Sequence, residues 1–275
     1  MSEPAFVDKL VAALGGRRPL KVVWACDPAE AGQVRDLAGR LPGRHTVVER
    51  ARKLRGLEDE VLFGGAHLGL AVDGDRLGVV DGEGRALMPD QLLAILAAET
   101  LKSTPEATVV TEVLTGETVA DAVARLGGRL VVAEPGELKL RLAETGAPLG
   151  GDAEGRLAVA GLDEVAPALG AALRVLAMVA GWERDTLAQR RDRLPHRVAI
   201  PVTRVEHQHP GAVVAGLGRR PDVAEAGGGV RVATRDGWWG VRPWLGAPAL
   251  AVRAEAGTSE GLKRLRAELD KAIGG

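Results

Sequence analysis

The stretch LGLAVDGDRLGVVDGEG, from Leu68 to Gly84, carries the clearest architectural signal in this 275-residue sequence. Two apolar runs with the composition of strands flank an Asp-Gly-Asp-Arg turn. Asp73 and Asp75 stand one residue apart at the end of the first run, where two carboxylates can bind a hard divalent cation through oxygen. An Asp-Gly pair between apolar runs is also a strong hairpin signal. The turn therefore predicts either a plain hairpin or a metal site, weak or catalytic.

On both sides of this stretch the chain alternates between buried strands and amphipathic helices. Residues 19–41 predict a strand, a turn and a helix with one apolar side. The same scheme returns as a strand, a helix and a second strand over 109–113, 119–126 and 130–133. A helix over 88–103 joins the two modules. Two similar βαβ modules in succession predict two α/β domains with mixed, partly parallel sheets.

The last third of the chain predicts a different kind of domain. A long helix over 166–180 precedes a charged stretch with the composition of a linker. A final helix starts at Ser259, and the Gly-rich stretch 216–229 predicts a surface loop. Four strands are predicted over 198–205, 230–234, 238–242 and 250–255. Packed under the final helix, they would form a small α+β domain. The predicted division is two α/β domains, a linker and an α+β domain, over 1–90, 91–183, 184–197 and 198–275.

Composition and charge limit the possible partners. With 46% apolar residues the chain can bury substantial cores, and its net charge of -1 disfavours binding to nucleic acid or to a membrane surface. The most apolar helical stretch is interrupted by Arg174 and is too short to cross a bilayer. Cys26 is the single cysteine, and the N-terminal residues lack a signal-peptide profile. These features predict a cytoplasmic location.

Taken in order, these segments resemble the second, third and fourth domains of the alpha-D-phosphohexomutases, the phosphoglucomutase and phosphomannomutase family. The likeness runs from about Pro19 to Ile273. Its strongest element is the opening stretch with the helix after it, which resembles the family's metal loop. GGDAEG, at 150–155, stands where the family has its sugar-recognition GGExSG. WWGVRPWLGAP, at 238–248, stands where the family has its phosphate-binding RPSGTEP.

The resemblance implies a phosphoryl-transfer ancestry. In that family a phosphoserine on the first domain exchanges its phosphoryl group with a hexose phosphate, and Mg²⁺ neutralises charge. The likeness begins with the second domain, so we expect a truncated member without the first, serine-bearing domain. No residue of this sequence then inherits the phosphoserine role, and no catalytic residue is predicted.

The metal loop departs from the family pattern. DGDxDR supplies three aspartates to one Mg²⁺, whereas this chain has Asp73 and Asp75 followed directly by Arg76. Losing an anionic ligand matters for Mg²⁺, which requires near-octahedral oxygen geometry. The resemblance thus implies a vestigial site with weak Mg²⁺ binding at most, and the shortened loop keeps the plain-turn alternative open.

The sugar loop is altered as well. The family's glutamate and serine align with Asp152 and Glu154, so that a bulky anion replaces a small hydroxyl group. Added negative charge disfavours the approach of a phosphosugar. A solvated Gly-rich turn without a binding role is the alternative.

The phosphate loop keeps one functional group and gains apolar residues. Arg242 is retained, while Trp244 and its neighbours replace the small polar residues that cradle phosphate. Trp238, Trp239 and Trp244 lie close together in sequence. Exposed, they would form a protein interface; buried, they belong to the core.

Together these changes predict a catalytically inactive homologue, a pseudoenzyme that binds another protein or a ligand. The alternative is a Mg²⁺-dependent mutase that uses a serine domain in trans. A surface left by the missing first domain makes self-association or a protein partner the expected interaction, with a phosphosugar as a further possible ligand.

Overall fold

The computed structural model describes residues 8, 11–12, 14–50, 54–162 and 166–274. In these ranges the strands are β1 (Leu20–Cys26), β2 (Gly43–Glu49), β3 (Leu68–Asp73), β4 (Arg76–Asp81), β5 (Thr108–Glu112), β6 (Arg129–Ala133), β7 (Leu149–Gly151), β8 (Leu157–Val159), β9 (Val198–Ala199), β10 (Thr203–Glu206), β11 (Val223–Ala226), β12 (Gly229–Ala233), β13 (Gly237–Pro243) and β14 (Ala249–Ala256). The helices are α1 (Ala31–Arg40), α2 (Leu57–Gly64), α3 (Pro89–Ser103), α4 (Glu117–Arg125), α5 (Leu138–Thr145), α6 (Pro167–Ala180), α7 (Leu187–Asp192), α8 (Pro210–Gly218) and α9 (Ser259–Ile273).

The first two sheets are built alike. Sheet A has the order β2-β1-β3-β4 and sheet B the order β6-β5-β7-β8. In each, three strands are parallel and the last forms an antiparallel hairpin with the third. In each sheet the strand that comes second in the chain lies on one side of the first strand, and the third strand lies on the other side. The two connections therefore run in opposite directions across the sheet, and their helices cover opposite faces. The predicted pair of mixed-sheet α/β modules is confirmed.

A shared core joins these two sheets. Strand β1 turns Val22 and Trp24 toward α1 and α6, and Val23 and Ala25 toward α2, because strand side chains alternate between faces. Helix α3 lies in the common core with its Leu93 side chain fully buried. The two α/β modules are therefore packed together through α3, the helix that the sequence places between them.

Sheet C is antiparallel and forms the C-terminal α+β domain. Its order is β10-β14-β13-β12-β11, and β9 also pairs with β14. Helices α8 and α9 pack on one face through Leu217, Leu265 and Leu269. The other face meets Val113 and Leu114, which follow β5 of sheet B. This contact brings the C-terminal domain against the end of sheet B.

Local details of the last part differ from the sequence prediction. Sheet C has six strands instead of four, since the predicted strand over 198–205 is split and β11 is added. The stretch 216–229, predicted as a surface loop, contains the end of α8 and all of β11. Helix α8 has few polar residues and therefore no polar stripe to indicate it. The segment 184–197 holds α7, whose Leu187 is buried. The predicted domain boundaries remain predictions.

None of the helices in the described ranges is both long and apolar enough to span a lipid bilayer.

Candidate functional site

The metal, sugar and phosphate loops identified in the sequence meet in one place. The metal loop is the β3-β4 turn, the sugar loop is the β7-β8 turn, and the phosphate loop follows β13. A backbone bridge pairs Arg76 with Arg156, and the Leu77 amide donates to the Gly155 carbonyl at 2.9 Å. Arg242 reaches the same point from β13. The sequence thus predicts residues that the fold brings together from three sheets.

Glu154 lies at the centre of this site. Its Oε1 accepts a hydrogen bond from Arg76 Nη2 at 3.0 Å. Its Oε2 accepts one from Arg156 Nη1 at 3.0 Å and one from Arg242 Nη2 at 2.7 Å. Only 10% of the Glu154 side chain is exposed. The Glu154 carboxylate therefore accepts hydrogen bonds from three guanidinium groups, and each of these comes from a different sheet or loop.

Asp152 stabilises the β7-β8 turn to which it belongs. Its Oδ1 accepts the backbone amides of Glu154 at 2.8 Å and Arg156 at 2.9 Å, and its Oδ2 pairs with Arg156 Nη1 at 3.0 Å. Burial alone would lower the pKa of the Arg156 guanidinium, but the hydrogen bonds to Asp152 and Asp75 raise it above its ordinary value. The buried Asp152 side chain shows that the solvated-turn alternative is wrong here.

The metal loop does not fit Mg²⁺. Asp75 Oδ2 accepts Arg156 Nε at 2.7 Å, so a guanidinium already binds one of the two oxygens of this carboxylate. Among the described residues no group of three or more His, Cys, Asp or Glu side chains is arranged to hold a metal ion. Asp73 ends β3, and Asp73 with Asp75 gives at most two carboxylates. The residues form a hairpin turn, as the plain-turn alternative predicts.

Glu112 joins the site from the end of β5. Its Oε2 lies 3.4 Å from Arg242 Nη2, and its Oε1 accepts the Gly136 amide at 3.2 Å. Burial and the negative charge of Asp152 raise the pKa of Glu112 to about 7, although the Arg242 charge opposes them. We call the whole assembly the Glu154 cluster; its members are Asp75, Arg76, Glu112, Asp152, Glu154, Arg156 and Arg242.

A cavity adjoins the Glu154 cluster. It has a volume of about 370 Å³ and lies between β4 and the β7-β8 turn. Its apolar lining includes Leu77, Leu87 and Pro89, while Arg76 and Glu154 contribute charged groups. The site therefore has a space beside its central carboxylate.

The three tryptophans in and beside the phosphate loop differ in burial. Trp238 and Trp239 are fully buried on opposite faces of β13, so for them the core alternative holds and the interface expectation is wrong. Trp238 Nε1 donates to Glu255 at 3.3 Å, and Trp239 Nε1 donates to Glu268 at 3.1 Å. Trp244 is half-buried at the edge of the phosphate loop.

Two members of the cluster, Glu112 and Arg156, are not predicted from the sequence motifs. Glu112 ends an apolar strand, and a charged residue at the carboxyl end of a parallel strand is a usable signal. Arg156 lies four residues after Asp152, which also suggests a paired turn. Neither signal identifies the partner, because the partners come from distant parts of the chain.

Comparisons with known proteins agree with this fold. A sequence model described as phosphoglucomutase/phosphomannomutase, alpha/beta/alpha domain III, matches residues 88–198. A phosphomannomutase/phosphoglucomutase of Pseudomonas putida is 26% identical over 279 residues, covering 90% of this chain and 59% of the relative. The chain thus spans well under two thirds of that relative's length.

Solved structures show the same architecture. A phosphoglucomutase/phosphomannomutase family protein from Burkholderia thailandensis has a TM-score of 0.79 at 22% identity and covers 98% of this chain and 64% of its own. An N-acetylphosphoglucosamine mutase of Aspergillus fumigatus, solved with GlcNAc-6P and magnesium, has a TM-score of 0.64 at 16% identity. The match covers 99% of this chain and 70% of the mutase. Residues 88–198 therefore belong to the phosphoglucomutase/phosphomannomutase domain III family, and the described chain, with its paired α/β modules and C-terminal sheet, has the fold of the alpha-D-phosphohexomutases.

Proposed function

We propose that this chain is a non-catalytic homologue of the phosphohexomutases, a pseudoenzyme that acts by binding. The observation that supports this most strongly is the Glu154 carboxylate held by Arg76, Arg156 and Arg242. Phosphoryl transfer depends on cationic groups that face the transferred phosphoryl group. In this chain an internal anion already uses those groups.

The charges of the site also disfavour a phosphosugar. Four carboxylates of the Glu154 cluster face three guanidinium groups, so an incoming phosphate meets excess negative charge whenever all are ionised. Asp75 is already paired with Arg156, and this pairing weakens its attraction for a cation that would offset that charge. An arrangement of this kind rejects an anionic substrate by repulsion.

An activity assay tests the proposal. The purified chain is assayed for phosphoglucomutase and phosphomannomutase turnover with Mg²⁺ and glucose 1,6-bisphosphate, with the Pseudomonas putida relative as the positive control. We expect no turnover above the protein-free rate. Turnover that rises in proportion to the concentration of this chain would overturn the proposal.

The alternative is a Mg²⁺-dependent mutase that needs a serine domain in trans. The relatives' names as mutases and the meeting of three family loops in one place favour it. Mixing the chain with the full-length Pseudomonas putida relative, with heat-denatured chain as the control, distinguishes the two. A rate above that of the relative alone supports the alternative, and an unchanged rate counts against it.

A binding role needs an exposed surface, and α2 offers one. Phe63 is 82% exposed and Leu62 is 49% exposed, which is unusual for large apolar side chains on a helix. We expect a second copy of the chain to bind there. Sedimentation should show concentration-dependent association that Phe63→Ser weakens, and a clean monomer would contradict this expectation.

A further inference from the structure

We propose that exposed apolar side chains of α2 in one copy of the chain bind in a groove beside α5 of a second copy, in a head-to-tail contact. This inference deepens the binding role proposed above, on which it rests, by naming the surface that receives α2. The α2 patch consists of Leu62 and Phe63. The α5 groove is lined by Lys139 and by the apolar residues Leu140, Leu142, Ala143, Gly146, Ala147 and Ala160.

The α2 patch protrudes from a helix whose other side is anchored. Leu57 and Val61 of α2 are fully buried against sheet A, so the helix cannot turn its exposed side inward. Phe63 is 82% exposed and Leu62 is 49% exposed. Removing apolar surface from water favours association in proportion to the area covered. A partner that covers the α2 patch therefore gains binding free energy from both side chains.

The α5 groove has the size and the lining to receive these side chains. Its volume is about 510 Å³. Leu140, which is 54% exposed, supplies an apolar wall, while Ala143, Gly146 and Ala147 are small enough to let an aromatic ring lie close to the backbone. Aromatic side chains that fill such pockets are typical anchors of protein interfaces. The groove therefore suits the phenyl ring of Phe63 from another copy.

Charges of opposite sign accompany the two surfaces. The first turn of α2 carries Glu58 and Asp59. Helix α5 carries Lys139 and Arg141, both of which are exposed. Arg141 pairs with Glu144 at 2.9 Å, but an exposed pair of this kind is weak and leaves the arginine able to exchange partners. Complementary charges across an interface favour encounter and fix its orientation.

The charged and apolar residues follow the same order along both helices. In α2 the acidic residues precede the α2 patch, and in α5 the basic residues precede Ala143, Gly146 and Ala147. Parallel packing of the two helices therefore brings acids to bases and Phe63 to the small residues. Antiparallel packing would place Phe63 beside Lys139 instead. The charges thus select the parallel arrangement.

The contact joins two copies and cannot close within one. Helices α2 and α5 have equivalent positions, since each connects the second and third strands of its sheet along the chain. Val61 and Leu142 hold them to their own sheets, and the two modules are packed together through α3. Because the contact uses two different surfaces, each pair of copies keeps an open patch and an open groove, and association continues beyond a dimer.

Sedimentation of two complementary variants tests this inference. Phe63→Asp removes the α2 patch and keeps the α5 groove, whereas Leu140→Asp disrupts the groove and keeps the patch. Both side chains are exposed, so neither change places a charge in a core. Leu130→Asp is the matched control, because it replaces an exposed leucine that lies beside α4.

We expect the wild type and Leu130→Asp to associate beyond a dimer as the concentration rises. Phe63→Asp and Leu140→Asp should each lower the association constant about tenfold or more, as the loss of a buried anchor predicts. An equimolar mixture of these two variants should form a 1:1 dimer and stop there, because one supplies the groove and the other the patch. Asp59→Lys should also weaken association, since it brings positive charge toward Lys139 and Arg141.

A mixture that stays monomeric at concentrations where the wild type associates would overturn the inference. Association of Leu140→Asp as strong as that of the wild type would do the same, and if Phe63→Asp is weakened, self-association through α2 still stands. A wild-type chain that stays monomeric would remove both the head-to-tail contact and the proposed self-association. Turnover in the activity assay would remove the non-catalytic role without affecting the sedimentation result.

Discussion

At the level of single side chains, the Glu154 cluster pairs charged groups that come from distant positions in the sequence. The sequence motifs alone single out Asp75, Arg76, Asp152, Glu154 and Arg242, and all five meet in the folded chain. What the sequence cannot show is which charge neutralises which. The pairing of these charges depends on how the β3-β4 turn, the β7-β8 turn and the phosphate loop meet in the folded chain. No local sequence pattern specifies how segments from separate sheets pack together.

Glu112 gives the cluster a pH dependence. Its pKa is raised from 4.5 to about 7 in the folded chain, mainly by burial. Between these two pH values the folded chain keeps a proton on Glu112 that the unfolded chain has released. Protonation of Glu112 therefore contributes fully to the free energy of unfolding below pH 4.5, and this contribution is lost as the pH rises through 7. The shift corresponds to about 3 kcal/mol.

Glu112→Gln should remove this pH dependence, since an amide cannot ionise. Relative to the variant, the wild type should lose unfolding free energy between pH 5 and pH 8, by about 3 kcal/mol at most. Urea unfolding at the two pH values measures it, with Glu144→Gln as an exposed control. An equal pH effect in the wild type and Glu112→Gln would show that Glu112 does not titrate in this range.

At the level of helices and strands, the two glycines of the sugar loop have a packing role. Gly150 and Gly151 form the buried end of β7. A Cβ on Gly150 would lie 2.5 Å from a Leu142 methyl group, and one on Gly151 would lie 2.7 Å from a Leu157 methyl group. The strand can therefore lie this close to its neighbours only without side chains at these positions.

Gly150→Ala and Gly151→Ala should each destabilise the chain by about 1–3 kcal/mol through overpacking. Gly32→Ala is the control, because that glycine lies in α1 with nothing within 4 Å of the added carbon. It should be neutral or stabilising, since alanine favours a helix. Denaturant unfolding compares the three, and equal effects would contradict the packing argument.

Elements with a clear apolar period are predictable from the sequence, and the others are not. Helices α1 and α9 have regular apolar stripes, which the sequence shows directly. Strand β2 is an exposed edge strand with mixed polarity, and α8 is Gly- and Ala-rich, so tertiary contacts establish both. The β7-β8 hairpin is indicated only by its resemblance to a family loop.

At the level of the whole molecule, a second buried charge pair holds the C-terminal domain to the rest. Arg253 of β14 pairs with Asp90 at the start of α3, and both side chains are almost fully buried. Arg253 also donates to the Leu114 carbonyl at 2.7 Å, and Asp90 accepts the Gly116 amide at 3.0 Å. This pair helps to position sheet C, and with it Arg242, against sheet B.

Asp90→Asn should cost about 3–5 kcal/mol, because it leaves a buried guanidinium with too little compensating charge. The double variant Asp90→Asn/Arg253→Met should cost less than the sum of the two single changes. Urea unfolding of the four proteins gives this coupling energy. Additive effects would show that the pair does not join the domains energetically.

Calorimetric titration with glucose 1,6-bisphosphate, with and without Mg²⁺, tests the non-catalytic role most directly. This ligand presents a sugar and two phosphates to every loop of the site, and the Pseudomonas putida relative serves as the positive control. We predict no saturable heat from the wild-type chain at low millimolar ligand, because Glu154 holds the arginines and Asp75 is paired. Saturable, Mg²⁺-dependent heat from the wild type would contradict that role and show a site that still accepts a phosphosugar.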